Sequence, residues 1–489
     1  MSDAASRWGS SGLARLTGPP DGPPDFSRAE VLARADRVAA AVGGHFGIAV
    51  DAATLLAGRA GLLGLTRGGR ISAGGGTRLL RARDGWCAFT LSRPDDVAVV
   101  PALLEIDETP AQLWPMLQRW AATRLVSAIT ERASLLAIPA AALGEVAHTP
   151  PRIERMATGV AARRVTGLLV ADLSSMWAGP LCGQLLARAG AIVVKVESPR
   201  RPDGTRAGNR AFFDWMSGEK LSYCLDFESQ ADELRELLVV ADIVIEGSRP
   251  AALARRGLGP EHIAPRPGRI WLRISGYGRD DSRPAFGDDA AVAGGLVGAG
   301  PVFCGDAIAD PLTGLEAASA VAESLARGGG EFIQVSMAET AAGYAALPAA
   351  ASSSECPTPP PPAPPPWAPT ARPCAGWSPK DGCRHADSAG DAAGRHGDRH
   401  PGGYADRADR RPPATPTRGG RAGRARWDRA ARPARPPRAP AFGRRCDGFA
   451  DARTAARAHQ RSTGRSTVER CSERRQLDPG DRLSRIGRR

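Results

Sequence analysis

Residues 276–296, GYGRDDSRPAFGDDAAVAGGL, set aspartates in a glycine-rich turn directly after a strongly apolar run of strand length. A carboxylate in a flexible, unhindered turn can attack an activated acyl group, giving an anhydride and then a thioester. The segment's aspartates, Asp280, Asp281, Asp288 and Asp289, carry this reading. Other covalent chemistries have little support. Outside the last 139 residues the only histidines are His45, His148 and His262, and none follows a predicted strand, which leaves no Ser-His-Asp or Cys-His arrangement. No GxGxxG follows the first strand of the central region and no GxxxxGK[ST] occurs. The nine cysteines include no CxxC, and the spacings of Cys374, Cys383, His385, His396 and His400 match no common metal site, so no metal is expected.

The elements that must position these aspartates alternate between strand and helix. Strands are expected at 166–173, 191–197, 221–227, 242–247 and 269–276, with helices beginning at the Gly179-Pro180 turn and over 230–240. That alternation predicts α/β architecture: a mainly parallel, Rossmann-like sheet covered on both faces, with ligands beyond the carboxyl ends of its strands. Residues 26–150 read as a smaller α+β domain behind a leader of 1–25. Within it, a helix is expected at 30–42, two strands around Asp84-Gly85, and broken helix over 103–128. Residues 151–164 read as a linker, and 165–350 as the catalytic lobe.

The formal charge of +13 invites a nucleic-acid reading, but it is concentrated at one end. Residues 351–489 hold 28 Arg and one Lys against 14 acidic residues, a net of +15, and residues 1–350 are left at −2. An evenly basic DNA-binding enzyme is excluded, and nucleic acid is expected only as a non-specific partner of this tail. The tail has 20 of the 42 prolines and six residues in all of the types Ile, Leu, Val, Met and Phe. It reads either as disordered, including a polyproline stretch at 357–366, or as an artefact such as an out-of-frame GC-rich sequence. Residues 1–12 lack the pattern of a secretory signal and no apolar run is long enough to span a bilayer, so a cytoplasmic protein with reduced thiols and no membrane partner is expected.

Six ordered segments resemble the family III CoA-transferases, the group of formyl-CoA transferase and α-methylacyl-CoA racemase. They are VADLSSMWAGPLCGQLLARAGAIVVKVESP, LSYCLDF, ADIVIEGSRP, LRISGYG, FGDDAAVAGGL and DAIADPLTGLEAASAV with QVSMAE, all within residues 165–339. The resemblance implies an acyl-CoA:carboxylate CoA-transferase acting through an aspartyl-CoA thioester on Asp288 or Asp289, with coenzyme A or acyl-CoA as substrate, a carboxylic acid as acceptor, no permanently bound cofactor, and a homodimeric assembly. It places Met176, Ala178, Gly179 and Pro180 near the pantetheine arm and Val194, Lys195 and Glu197 near the adenine and ribose. Arg206 and Arg249 become phosphate contacts, as guanidinium forks suit phosphate. Where the family carries an Asn-Arg pair this chain has Met216-Ser217-Gly218-Glu219-Lys220, leaving Lys220 as the cation there.

SGLARLTGPPDGPP (11–24), DGWCAFTL (84–91) and LLAIPAAAL (135–143) resemble pieces the family carries after its catalytic lobe, and residues 9–42 echo 293–326. Residues 26–150 therefore resemble the family's C-terminal part lying ahead of the lobe, and should pack on it with Trp86 and Ile138 buried. The alternatives are a racemase of the same family, which the scarcity of His disfavours, and a non-catalytic CoA-binding pseudoenzyme subunit.

Overall fold

The computed structural model describes residues 3–247, 251–278, 283–350 and 359–361. Arg249, Asp280, Asp281 and nearly all of the tail lie outside them. The strands are β1 (Thr77–Arg81), β2 (Trp86–Thr90), β3 (Ala140–Ala142), β4 (Arg152–Arg155), β5 (Leu169–Asp172), β6 (Ile192–Glu197), β7 (Leu221–Cys224), β8 (Ile243–Glu246), β9 (Ile270–Ser275), β10 (Val297–Gly298), β11 (Val302–Phe303) and β12 (Glu331–Ser336). Seven of them form one sheet in the order β4-β12-β9-β8-β5-β6-β7. Every pairing in it is parallel except β4 against β12. The protein is thus α/β with a mostly parallel central sheet.

Alternation along the strands explains the two-sided cover. Val170, Val193, Ile243, Ile245, Ile270, Leu272 and Ile333 point to a core shared with the helices Ala178–Arg188 and Ala309–Ala326. Their neighbours Ala171, Val194, Val244, Trp271 and Phe332 point the other way, onto Leu234, Leu237 and Leu238 of the helix Ala231–Val240. The expected strands therefore form within a few residues of their predicted bounds. β4 differs: the stretch read as linker supplies an edge strand. Its residues Arg152, Ile153 and Arg155 stay exposed, so no buried face betrays it in the sequence.

The helices Ala29–Phe46 and Ala52–Leu63 pack onto the same core as the sheet. Ala29–Phe46 lies along Ala309–Ala326, with Arg34 donating to Glu316 at 3.3 Å and to the Gly343 carbonyl at 3.0 Å. These two helices fall largely within the two echoing stretches, residues 9–42 and 293–326. Ala309–Ala326 also meets Ala178–Arg188 closely, where a Cβ on Gly314 would stand 2.6 Å from the Ala178 carbonyl. The three-stranded sheet β1-β2-β3 has a separate core of Leu80, Phe89, Leu103, Leu117, Trp120 and Ile138. Ile138 is buried, whereas Trp86 is half-buried, with Arg70 and Arg81 guanidiniums 4.5 and 5.4 Å from its ring. Among the described residues no helix is long and apolar enough to cross a membrane.

Candidate active site

β9 ends at Ser275, and the chain returns to start the helix Gly287–Ala293 with Asp288 and Asp289 in its first turn. Glycine is required at 287, because a Cβ there would lie 2.2 Å from the Ala307 carbonyl and 2.5 Å from an Asp310 carboxylate oxygen. That close approach brings Asp288 against the 306–310 segment.

The two adjacent aspartates occupy different environments. Asp289 is fully buried, and its acceptors are met by three neutral donors: the Thr90 hydroxyl at 2.8 Å, the Phe286 amide at 3.0 Å, and a very short bond from Tyr277. Through the Phe286 bond Asp289, at the third position of its own helix, reaches back to the amide of the residue that caps it. Burial pushes its carboxyl up to about 7, against the pull of these donors. Asp288 is half-buried. It accepts from the Ala307 amide at 3.0 Å and Thr77 at 3.2 Å, with the Ser72 hydroxyl nearby. Its carboxyl is pushed up to about 6 by burial and then by Asp306, with Arg59 opposing. Of the two, Asp288 is the more exposed carboxylate.

Arg59 is the cation of this centre. It arises from the helix Ala52–Leu63, in which it is the one charged residue, and holds both Asp306 oxygens, at 2.6 and 2.7 Å. Its guanidinium lies 5.6 Å from the Trp177 ring centroid and 5.7 Å from that of Phe212. Asp310 lies near the Ala178 amide, and its carboxyl rises to about 7 through burial, Arg59 opposing and Asp288 adding to the rise. The 176–180 loop thereby touches the aspartate centre through Ala178–Asp310 and Trp177–Arg59.

The other sequence-predicted residues form a second group on that loop's far side. Met176 is partly exposed, with φ 72°, and its amide donates to Asp203 at 3.2 Å. Ala178, Gly179 and Pro180 open the helix Ala178–Arg188 and are buried. Val194 faces the core. Lys195 is buried, donating to Asp203 at 2.8 Å and to the Ser174 carbonyl at 3.1 Å. Lys220 is buried as well, on Asp172 at 2.7 Å and the Pro180 carbonyl at 2.8 Å. Glu197 is held by Arg206 at 2.6 Å, with Arg206 stacked 4.3 Å from the Phe213 centroid. Burial pushes the Glu197 carboxyl up, but Arg206 and Lys195 outweigh it and hold the group below the usual range. In this arrangement the two lysines serve internal carboxylates, which fix the loop from beneath. Sequence reasoning missed Arg59, Ser72, Thr77, Thr90, Asp306 and Asp310. The signal for Arg59 was available: a single charge within the otherwise apolar AATLLAGRAGLL.

A parallel α/β sheet whose strand ends support a buried carboxylate centre beside a tight helix-opening loop defines the class of site. Residues 165–370 match the family model of CoA-transferase family III. The chain is 32% identical over 207 residues to an acyl-CoA transferase of Fusarium pseudograminearum, covering 36% of this chain and 45% of that protein. It is 33% identical over 147 residues to a succinyl-CoA–D-citramalate CoA-transferase of Chloroflexus aurantiacus, covering 27% and 37%. It is 30% identical over 186 residues to a succinate–glutarate CoA-transferase of Agrobacterium fabrum, covering 33% and 46%. The chain thus spans less than half the length of these relatives. A solved structure of a CaiB/BaiF family protein from Brucella suis is 28% identical, aligned over 37% of this chain and 55% of that one, with a TM-score of 0.34.

Proposed function

We propose that the protein is an acyl-CoA:carboxylate CoA-transferase whose nucleophile is Asp288. The observation that carries this reading is the contrast within the pair: Asp289 is sealed in at the third position of its helix, while Asp288 is partly open and cradled by the Ala307 amide, Thr77 and Ser72. The Asp288 carboxylate attacks the acyl-CoA carbonyl, the C–S bond breaks, and CoA thiolate leaves a mixed anhydride. The thiolate then attacks the Asp288 carbonyl and expels the original acyl group as a carboxylate, which leaves an aspartyl-CoA thioester. The acceptor carboxylate repeats the sequence in reverse and regenerates Asp288.

Near neutral pH an Asp288 group at about 6 is mostly anionic and more basic than an ordinary aspartate, which favours its attack as a nucleophile. Arg59 offsets the charge of Asp306 beside it. The supporting loop of Met176, Ala178, Gly179 and Pro180 is the proposed seat of the pantetheine arm, with the 194–206 region beside the nucleotide and Arg206 and Arg249 as phosphate contacts. Residues 26–150 stand in this reading for the family's C-terminal part, supplying Arg59, Ser72, Thr77 and Thr90, and a homodimer and cytoplasmic location go with it. The test is CoA exchange between a panel of acyl-CoAs and carboxylates. Asp288→Asn should abolish exchange while CoA still binds. Exchange retained by Asp288→Asn removes this residue from the role, and CoA binding without exchange in the parent supports the pseudoenzyme reading instead.

A further inference from the structure

We propose that Asp203 is a positioning residue that holds Met176 in a left-handed backbone conformation, and so shapes the proposed pantetheine seat and ties it to the Arg206–Glu197 pair. The inference rests on the CoA-transferase reading and not on which aspartate attacks. It adds a residue behind the seat and a link between the seat's two ends.

Met176 has φ 72°, a region that is strained for any residue with a side chain and that glycine occupies freely. Such strain persists only where the surroundings over-determine it, and it gathers at ligand clamps. Contacts on both sides hold Met176 there. Its amide donates to the two Asp203 carboxylate oxygens, at 3.2 and 3.3 Å. Its thioether leans on the next residue of that turn, with Sδ 3.1 Å from where a Cβ on Gly204 would stand. On the other side Trp177 is buried and meets Phe212 edge-on, the ring centroids 5.3 Å apart. The Met176 side chain itself stays 38% exposed. Glycine would adopt this conformation unaided, so what methionine adds to the loop is its flexible apolar side chain.

Asp203 is itself firmly fixed. Its Oδ1 also accepts from the Thr205 amide at 3.0 Å and hydroxyl at 2.7 Å, and its Oδ2 from Lys195 at 2.8 Å. Burial pushes the carboxyl up, but Lys195 outweighs it and holds the group below the usual range, so both oxygens accept at neutral pH. The same turn reaches the far end of the seat. The Asp203 amide donates at 2.9 Å to Oε1 of Glu197, the oxygen that Arg206 Nε also meets at 2.9 Å. Arg206 lies in the short turn Gly204–Ala207, which Asp203 caps. A phosphate engaging Arg206 therefore bears on the very turn that holds Met176.

The test is calorimetric binding of CoA to the full chain, in the parent, Asp203→Asn, Met176→Gly and the double variant. Asparagine keeps the volume but offers a single acceptor oxygen. The Lys195 ammonium takes it, which turns the new NH2 group toward the Met176 amide, donor against donor. Asp203→Asn should weaken CoA binding about tenfold, the size of one lost hydrogen bond to a charged group. In the Met176→Gly background the same change should weaken it by less than about twofold, because glycine keeps the left-handed conformation without help. A residue that merely supports the fold would lower affinity equally in both backgrounds. That result, or no loss in Asp203→Asn, overturns the proposal. Hydrogen exchange without ligand separates the proposal from the wider reading: amides of residues 174–178 should exchange about tenfold faster in Asp203→Asn than in the parent. An unchanged rate overturns the hold on Met176. A parent that binds no CoA overturns the CoA-transferase reading and the seat with it, and the exchange rates then still decide whether Asp203 holds the loop.

Discussion

Arg59→Met keeps the aliphatic stem of the side chain while removing the guanidinium that faces Asp306 and lies over Trp177 and Phe212. The Asp306 side chain is 1% exposed and that of Arg59 25%. Breaking a fully buried pair costs about 3–5 kcal/mol, and the partial exposure of Arg59 reduces this to roughly 2–3 kcal/mol at pH 7. The penalty should depend on pH in a definite direction. Asp288, Asp306 and Asp310 are all raised in the folded state, so the native protein binds more protons than the unfolded chain between the ordinary carboxylate range and about 7. Stability from these groups therefore falls as pH rises through that window. Arg59 opposes the rise in all three, so removing it should steepen the fall. Urea unfolding of parent and variant at pH 5 and pH 7.5 reads the effect. The loss should be roughly 1 kcal/mol at pH 5, where protonation relieves the unpaired charge, and at least twice that at pH 7.5. An equal loss at both values would show that Arg59 acts by packing on the aromatic rings, and the electrostatic account of the centre would fail.

Lys220→Met should cost about 3–5 kcal/mol by leaving Asp172 buried without its cation, and adding Asp172→Asn should recover much of this in thermal unfolding; a double variant no better than the single would mean that Lys220 matters for packing instead. Gly314→Ala would bring a Cβ within 2.6 Å of the Ala178 carbonyl and 2.9 Å of Leu181, so unfolding should move down by about 1–3 kcal/mol; an unchanged transition would contradict the close helix contact.

The central sheet was legible because parallel strands covered on both faces are continuous apolar runs, as in IVVKVE and IWLRIS. The same logic shows what was readable and passed over. A lone lysine in IVVKVE and a lone arginine in AATLLAGRAGLL each lie in stretches that become buried, and a buried charge demands a partner. Lys195 was read as a ligand contact, and the structure gives it Asp203. β4 was not legible, since RIER presents no apolar face. The choice between Asp288 and Asp289 was also hidden, because spacing says nothing about which of two adjacent carboxylates turns inward. That depends on Thr77 and Thr90, some two hundred residues away in the chain.

Covalent trapping tests the central claim most directly. The full chain is incubated with acyl-CoA donors, treated with hydroxylamine, digested, and the 276–296 peptide sequenced by mass spectrometry. A thioester on the nucleophile becomes a hydroxamate, and the account predicts it on Asp288 alone, absent from Asp288→Asn. A hydroxamate on Asp289, or CoA exchange proceeding with no aspartyl adduct, would contradict it.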